Sequence, residues 1–215
     1  MRTIYVEDLV GMAYSVGAAV WSFDPALWGT CAQGRTAPEA VARWTAEHGA
    51  AEIVETIRGD EQAFRRDLAP ASDDELERTL ATLAAQRQRT RRLLHSLPAE
   101  QLDHDDPTRE MPSWARWRTI RATMWHICDT ESRYYLPRTG QPSRDRAGDL
   151  AEELTASQRH VRTVLLSMPR DAVHRSGGEL WTTTKLLRRL AWHERGELDA
   201  ITELLSGRAT PDGMR

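Results

Sequence analysis

The sequence predicts an α+β protein. A small β/α unit spans residues 1–70, an up-and-down four-helix bundle spans 71–208, and a disordered tail covers 209–215. Three observations carry this. Short apolar or alternating runs punctuated by glycine fill the first 70 residues, which is the strand signature. From Ser72 onward the apolar residues recur at helical spacing. Two capping boxes, Thr36 with Glu39 and Ser72 with Glu75, mark where helices start.

In chain order, "TIYVED" and "SVGAAVWSFD" read as strands, and "GTCAQG" as a short third one. "TAPEAVARWTAEHG" is a helix that opens at Thr36, carries Pro38 in its first turn and stops at Gly49. "AEIVETI" returns to strand character. The first bundle helix begins at Ser72 and runs to "SLP", with Leu76, Leu80, Leu83, Leu94 and Leu97 on its stripe. Arg87 and Thr90 interrupt that stripe halfway. The second helix spans about Thr119 to Tyr135, after the loop "DHDDPTREMPSW". The third spans about Asp149 to Met168 and is stopped by Pro169. The fourth follows "SGGELWTT" and ends at Gly207. Four amphipathic helices of this kind read as a bundle. A weak internal repeat pairs Trp114 and His126 with Trp181 and His193, each tryptophan twelve residues before its histidine.

Bulk properties exclude several classes. Hydrophobic residues make up 40% and charged residues 28% of the 215 positions, and the net charge is −3. Nucleic acid is not an expected partner, because binding it rests on a positive surface. "RQRTRR" (Arg87–Arg92) spreads its arginines around a helix and reads as a solvated surface. No apolar run reaches the ~20 residues that cross a bilayer, and "MRTIYVEDLV" is not a signal peptide. The expected compartment is cytoplasmic. The two cysteines, Cys31 and Cys128, are far apart, so no disulfide framework or Cys-x-x-Cys zinc site is expected. Lys185 is the only lysine.

The candidate site lies in "LLRRLAWHERGELDAITELL", Leu186 to Leu205. Leu186, Leu190, Ile201 and Leu204 share one helical face, and His193 and Glu197 fall on it at spacing i, i+4. That spacing lets one helix offer an imidazole and a carboxylate to a single metal ion. A charged carboxylate on a buried stripe is costly unless paired or metal-bound. A buried His–Glu pair without metal explains the same pattern. The third ligand has to come from another helix. His126 is the candidate, at the flank of a face made by Ile120, Met124, Ile127 and Glu131, and Asp129 is its alternative. His48, His95, His104, His160 and His174 read as surface or loop residues. Residues 1–70 are expected to supply no ligand.

"TIRATMWHICDTESRYYL" and "ELWTTTKLLRRLAWHERGELDAI" resemble the second and fourth helices of DinB-like proteins, over roughly residues 72–206. "TCAQGRTAPEAVARW" is similar to the strand-to-helix segment of HicB-like domains, over roughly residues 1–50, and fusions of the two domain types resemble the whole chain. The DinB-like resemblance implies a four-helix bundle that binds one divalent metal ion (zinc, nickel, iron or manganese) through three histidines. Carried over, these fall on His126, His193 and position 197, where this chain has Glu instead of His. The site is then His126, His193 and Glu197.

Such a resemblance implies a metal-dependent enzyme acting on a small molecule, by lyase, hydrolase, isomerase or thiol-transferase chemistry. A low-molecular-weight thiol is one implied partner. A glutamate ligand lowers the site's charge and weakens thiolate capture, which argues against simple thiol transfer. Glu197 can also serve as a catalytic base. Arg87, Thr90 and Tyr134 are the candidate substrate-binding residues, with Arg87 gripping a carboxylate or else snorkelling to solvent. Glu131 is expected to orient a histidine or a backbone group. The competing expectation is a binding or regulatory protein that uses its HicB-like domain for a partner. A homodimer is expected through a free sheet edge.

Overall fold

The computed structural model describes residues 2–105, 111–112 and 115–208, with side chains up to residue 206. The expected tail and Trp114 of the internal repeat lie outside the described residues. The architecture is α+β. A four-stranded sheet comprises β1 (Arg2–Val10), β2 (Gly17–Trp21), β3 (Cys31–Gly34) and β4 (Ala51–Arg58), with α1 (Ala37–His48) between the last two. Then follow α2 (Asp73–Ser96), α3 (Ala99–Asp103), α4 (Ile120–Asp129), α5 (Leu136–Arg138) and α6 (Leu150–Ser167). A hairpin of β5 (Val173–Ser176) and β6 (Glu179–Thr182) leads into α7 (Thr183–Arg208).

The strand order is β3-β2-β1-β4. β1 pairs antiparallel with β2, β2 antiparallel with β3, and β1 parallel with β4. The parallel pair is possible because α1 carries the chain back across the sheet. Every residue of β2 is buried, since both faces of the sheet are covered. On one face Ile4, Val6, Ala18 and Val20 meet Ala40 and Trp44 of α1. On the other, Val10, Ala19, Trp21 and Phe64 are packed by Trp192 of α7. The β/α unit and the bundle therefore share α7. Gly29 makes the junction close: it has φ +73°, and a Cβ there would lie 2.7 Å from the Ala191 side chain.

That junction carries six buried charges. Lys185, Arg188 and Arg189 of α7 meet Glu7 of β1 and Glu61 and Asp67 of the chain between β4 and α2. Lys185 Nζ donates to the carbonyls of Glu61 and Leu180 and pairs with Glu61 Oε2 at 2.9 Å. Three positive and three negative groups balance, as burial requires.

In the bundle, α2 and α4 each contact both α6 and α7, so the four helices form a ring with α2 and α4 on opposite corners. The Ser72–Glu75 capping box forms as expected. Two apolar clusters fill the interior. One holds Leu83, Val161, Leu187 and Leu190, the other Met124, Leu154, Leu198 and Ile201. A polar layer separates them. Arg87 donates to Glu194 Oε1 (2.9 Å), to Glu131 Oε2 (2.7 Å) and to the Leu154 carbonyl (2.7 Å), and Thr90 donates to Glu194 Oε1 (2.6 Å).

The second bundle helix is not regular. After Asp129 it widens into one π turn over Thr130–Tyr135 and resumes as α5. Pro137 gives the physical reason. It has no N–H to offer the carbonyl four residues back, and its ring crowds that carbonyl. The wider turn buries Thr130, Glu131 and Ser132 in succession. The β5–β6 hairpin was not expected. Gly177 and Gly178 make its two-residue turn, both at positive φ.

Candidate metal centre

α4 and α7 are neighbours in the ring, and each presents one histidine toward the other. His193 lies on the inward face of α7, 4% exposed. Glu197 stands one turn further on. His126 Nε2 is 3.3 Å from His193 Nε2 and 3.5 Å from Glu197 Oε1, and His193 Nε2 is 3.9 Å from that same oxygen. The circle through these three atoms has a radius of about 2.1 Å, the ~2.0–2.2 Å length of a zinc bond to imidazole nitrogen or carboxylate oxygen. Among the described residues this is the group of three or more His, Cys, Asp or Glu side chains placed to hold a metal ion.

The surroundings orient the donors. The Trp117 ring stacks on His126 at 3.3 Å between centroids and 9° between planes. Thr130 Oγ1 lies 3.2 Å from His126 Nδ1. Tyr135 meets His193 at a steep ring angle. His193 Nδ1 is buried with no partner among the described residues. Burial, and after it the nearby His126, Arg189 and Arg87, hold the His193 imidazole well below its usual protonation range. The ring is thus neutral at physiological pH, and its Nε2 faces the other two donors. Two imidazoles and one carboxylate suit zinc and also the first-row metals that accept nitrogen and oxygen.

The three donors open onto a cavity of about 750 Å³. Its walls come from both halves of the chain. The turn between β1 and β2 contributes Gly11, Met12 and Ala13; the second bundle helix contributes Asp129, Arg133 and Tyr134; α7 contributes Arg189, Trp192 and Gly196. The volume is that of a small-molecule site.

The structure gathers His126, His193, Glu197 and Tyr134 at this cavity. It does not bring Arg87 and Thr90 there. The Arg87 head neither grips a ligand nor reaches solvent, because all three of its nitrogens are held inside the bundle core. Glu131 is correspondingly the partner of Arg87 instead of a histidine's orienting group. Burial, opposed by Arg87, raises its carboxyl to about 7. Asp129 pairs with Arg133 and Arg146, which leaves His126 as the donor from this helix. Arg189, Glu61 and Glu194 were missed. For Arg189 and Glu194 the available signal was "KLLRRLAWHE", where charged residues recur at spacings of three and four and so spread beyond one face of the helix.

Protein-family models give no match to this chain, and no curated protein matches it. The DinB-like and HicB-like resemblances therefore rest on the quoted residues alone. Among the described residues, no helix is long and apolar enough to cross a membrane.

Proposed function

We propose that the protein is a metal-dependent enzyme acting on a small molecule, with one divalent ion (zinc, nickel, iron or manganese) held by His126, His193 and Glu197. The supporting observation is the donor triangle, sized for one ion and facing a cavity open to solvent. Two helices of the bundle hold the donors, so their spacing is fixed by the packing of α4 against α7 rather than by a loop. A bound ion there supplies Lewis acidity, or a water acidified toward neutral pH. Trp117 and Tyr135 shield the imidazoles from bulk water. Glu197, 18% exposed at its side chain, lines the cavity and would be suited to accept a proton from a substrate where water takes its place as a ligand. The His126 and His193 helices agree with the proposed DinB-like kinship, and Glu197 departs from it. One carboxylate ligand reduces the site's net charge to +1, which favours water or carbonyl activation over capture of a thiolate.

The alternative of a regulatory protein is less well supported, since the sheet's β1–β2 turn walls the same cavity instead of presenting a separate surface. The test is elemental analysis of untreated protein, followed by titration with zinc, nickel, iron(II) and manganese. One ion per chain is expected, lost in His193→Ala. Absence of stoichiometric binding for all four metals overturns the proposal.

A further inference from the structure

Arg189, His193 and Glu197 follow one another at four-residue steps along α7, so they line one strip of the cavity. Arg189 is only 1% exposed, yet it is one of the residues that line the cavity. Its Nη2 donates to Glu7 Oε2 (2.7 Å) and Glu61 Oε2 (3.3 Å). Its Nη1 has the thioether of Met12 at 2.9 Å, and its Nε has no partner among the described residues. Arg87, equally buried, has an oxygen on every nitrogen. A thioether is a weak acceptor, so Arg189, a residue of the cavity lining, keeps two donor nitrogens that no oxygen satisfies. Leaving such donors unpaired in a buried place is costly.

Met12 belongs to the turn between β1 and β2. That turn is tethered on either side of it, by Gly11 N to Asp60 Oδ1 (3.0 Å) and Ala13 N to Gln33 Oε1 (2.8 Å). The backbone is held while the methionine side chain, with three rotatable bonds, can swing aside.

We propose that Arg189 anchors a carboxylate of the small-molecule substrate, with the Met12 thioether occupying that place until the substrate arrives. This rests on the metal-site reading for the other end of the molecule. The carboxylate replaces sulfur on Nη1 with oxygen and forms the charge-assisted bonds that guanidinium makes best. Four residues of helix set the Cα atoms of Arg189 and His193 ~6 Å apart, so a short-chain acid with a second polar end is the class of substrate that fits. Glutarate is such an acid, and glutaramide is its uncharged counterpart.

The test titrates full-length protein by calorimetry with both compounds, first stripped of metal and then reloaded with zinc, with metal content measured on the same samples. Stripped wild type should prefer glutarate by about tenfold or more, in keeping with a buried charge-assisted pair. Zinc should tighten glutarate further. Arg189→Gln should lose the preference. That variant also loses the Glu7 and Glu61 contacts, so Met12 variants carry the test if it does not fold. Met12→Ala should bind glutarate more tightly than wild type. Met12→Glu supplies its own carboxylate to Arg189 and should block glutarate. Equal binding of glutarate and glutaramide, or glutarate binding unchanged in both Met12 variants, overturns the anchor. If zinc binds while glutarate shows no preference, the anchor fails and the metal site stands. If glutarate is preferred but no zinc binds, the anchor stands and the metal site fails.

Discussion

Glu7 Oε1 and Arg188 Nη2 are 181 positions apart in the chain and 3.1 Å apart in space. Glu7 belongs to the first strand and Arg188 to the last helix. The other oxygen of Glu7 holds Arg189. One carboxylate thus fastens the sheet to two consecutive arginines of the bundle.

Replacing Glu7 by Gln should therefore be strongly destabilising. It leaves Arg188 and Arg189 buried with a charge uncompensated, a change that costs about 3–5 kcal/mol. Urea unfolding of wild type and variant measures it. A difference below about 1 kcal/mol would show that the junction is weaker than the geometry implies.

A chain starting at Ser72 should not fold as a bundle. The candidate ligands all lie beyond residue 72, which at first suggests that the truncated chain would keep the proposed metal site. Removing the sheet, however, strips Glu7, Glu61 and Asp67 from three buried cations and uncovers the Trp192 side of α7. Circular dichroism and size-exclusion chromatography should find a poorly folded or aggregated product. A folded monomeric fragment with one bound metal ion would contradict this.

Position 197 should grade the metal affinity. Glu197→Gln keeps an oxygen but loses the charge, and should weaken zinc by about tenfold or more. Glu197→Ala should weaken it further. Glu197→His should hold zinc. Competition against a chromophoric chelator reads all three, and Glu197→Ala binding as tightly as wild type would exclude the three-donor site.

Glu131 should make stability fall as pH rises. Its folded carboxyl protonates at about 7, against 4.5 when unperturbed. Between those values the folded state holds a proton that the unfolded state has released. The contribution is intact below about pH 4.5 and is lost as pH climbs through 7. Glu131→Gln cannot lose that proton. Its stability relative to wild type should thus increase steadily from pH 5 to pH 8 in thermal or urea unfolding. A flat difference across that range would place the shift elsewhere.

Local signals in the sequence were sufficient for most elements. The capping box at Ser72, the stop at Pro169 and the small-residue strand before Trp21 each act within a few residues. The His193–Glu197 pairing was legible because i, i+4 spacing is itself geometry. The role of Arg87 was not. A lone arginine on an apolar stripe gives no hint of its partners, and Glu131 and Glu194 stand 44 and 107 positions away. The π turn was hidden for a related reason. Pro137 announces a disturbance, but which carbonyls yield depends on the packing of Glu131 and Tyr135 inside the ring. The charges of α7 were overlooked because a bundle helix was expected to have one wet face, and the sheet covers it.

Lys185 is the chain's only lysine, with 0% of its side chain exposed. The folded surface therefore offers acylating and reductive-alkylating reagents no lysine amine at all. Modification at this position demands that the Glu61 segment and the β5–β6 hairpin draw away from the amine. Its rate, followed by mass spectrometry under native conditions, becomes a clock for that opening, with no probe engineered into the molecule. Arginine carries the rest of the positive charge, and those groups stay silent to the same chemistry.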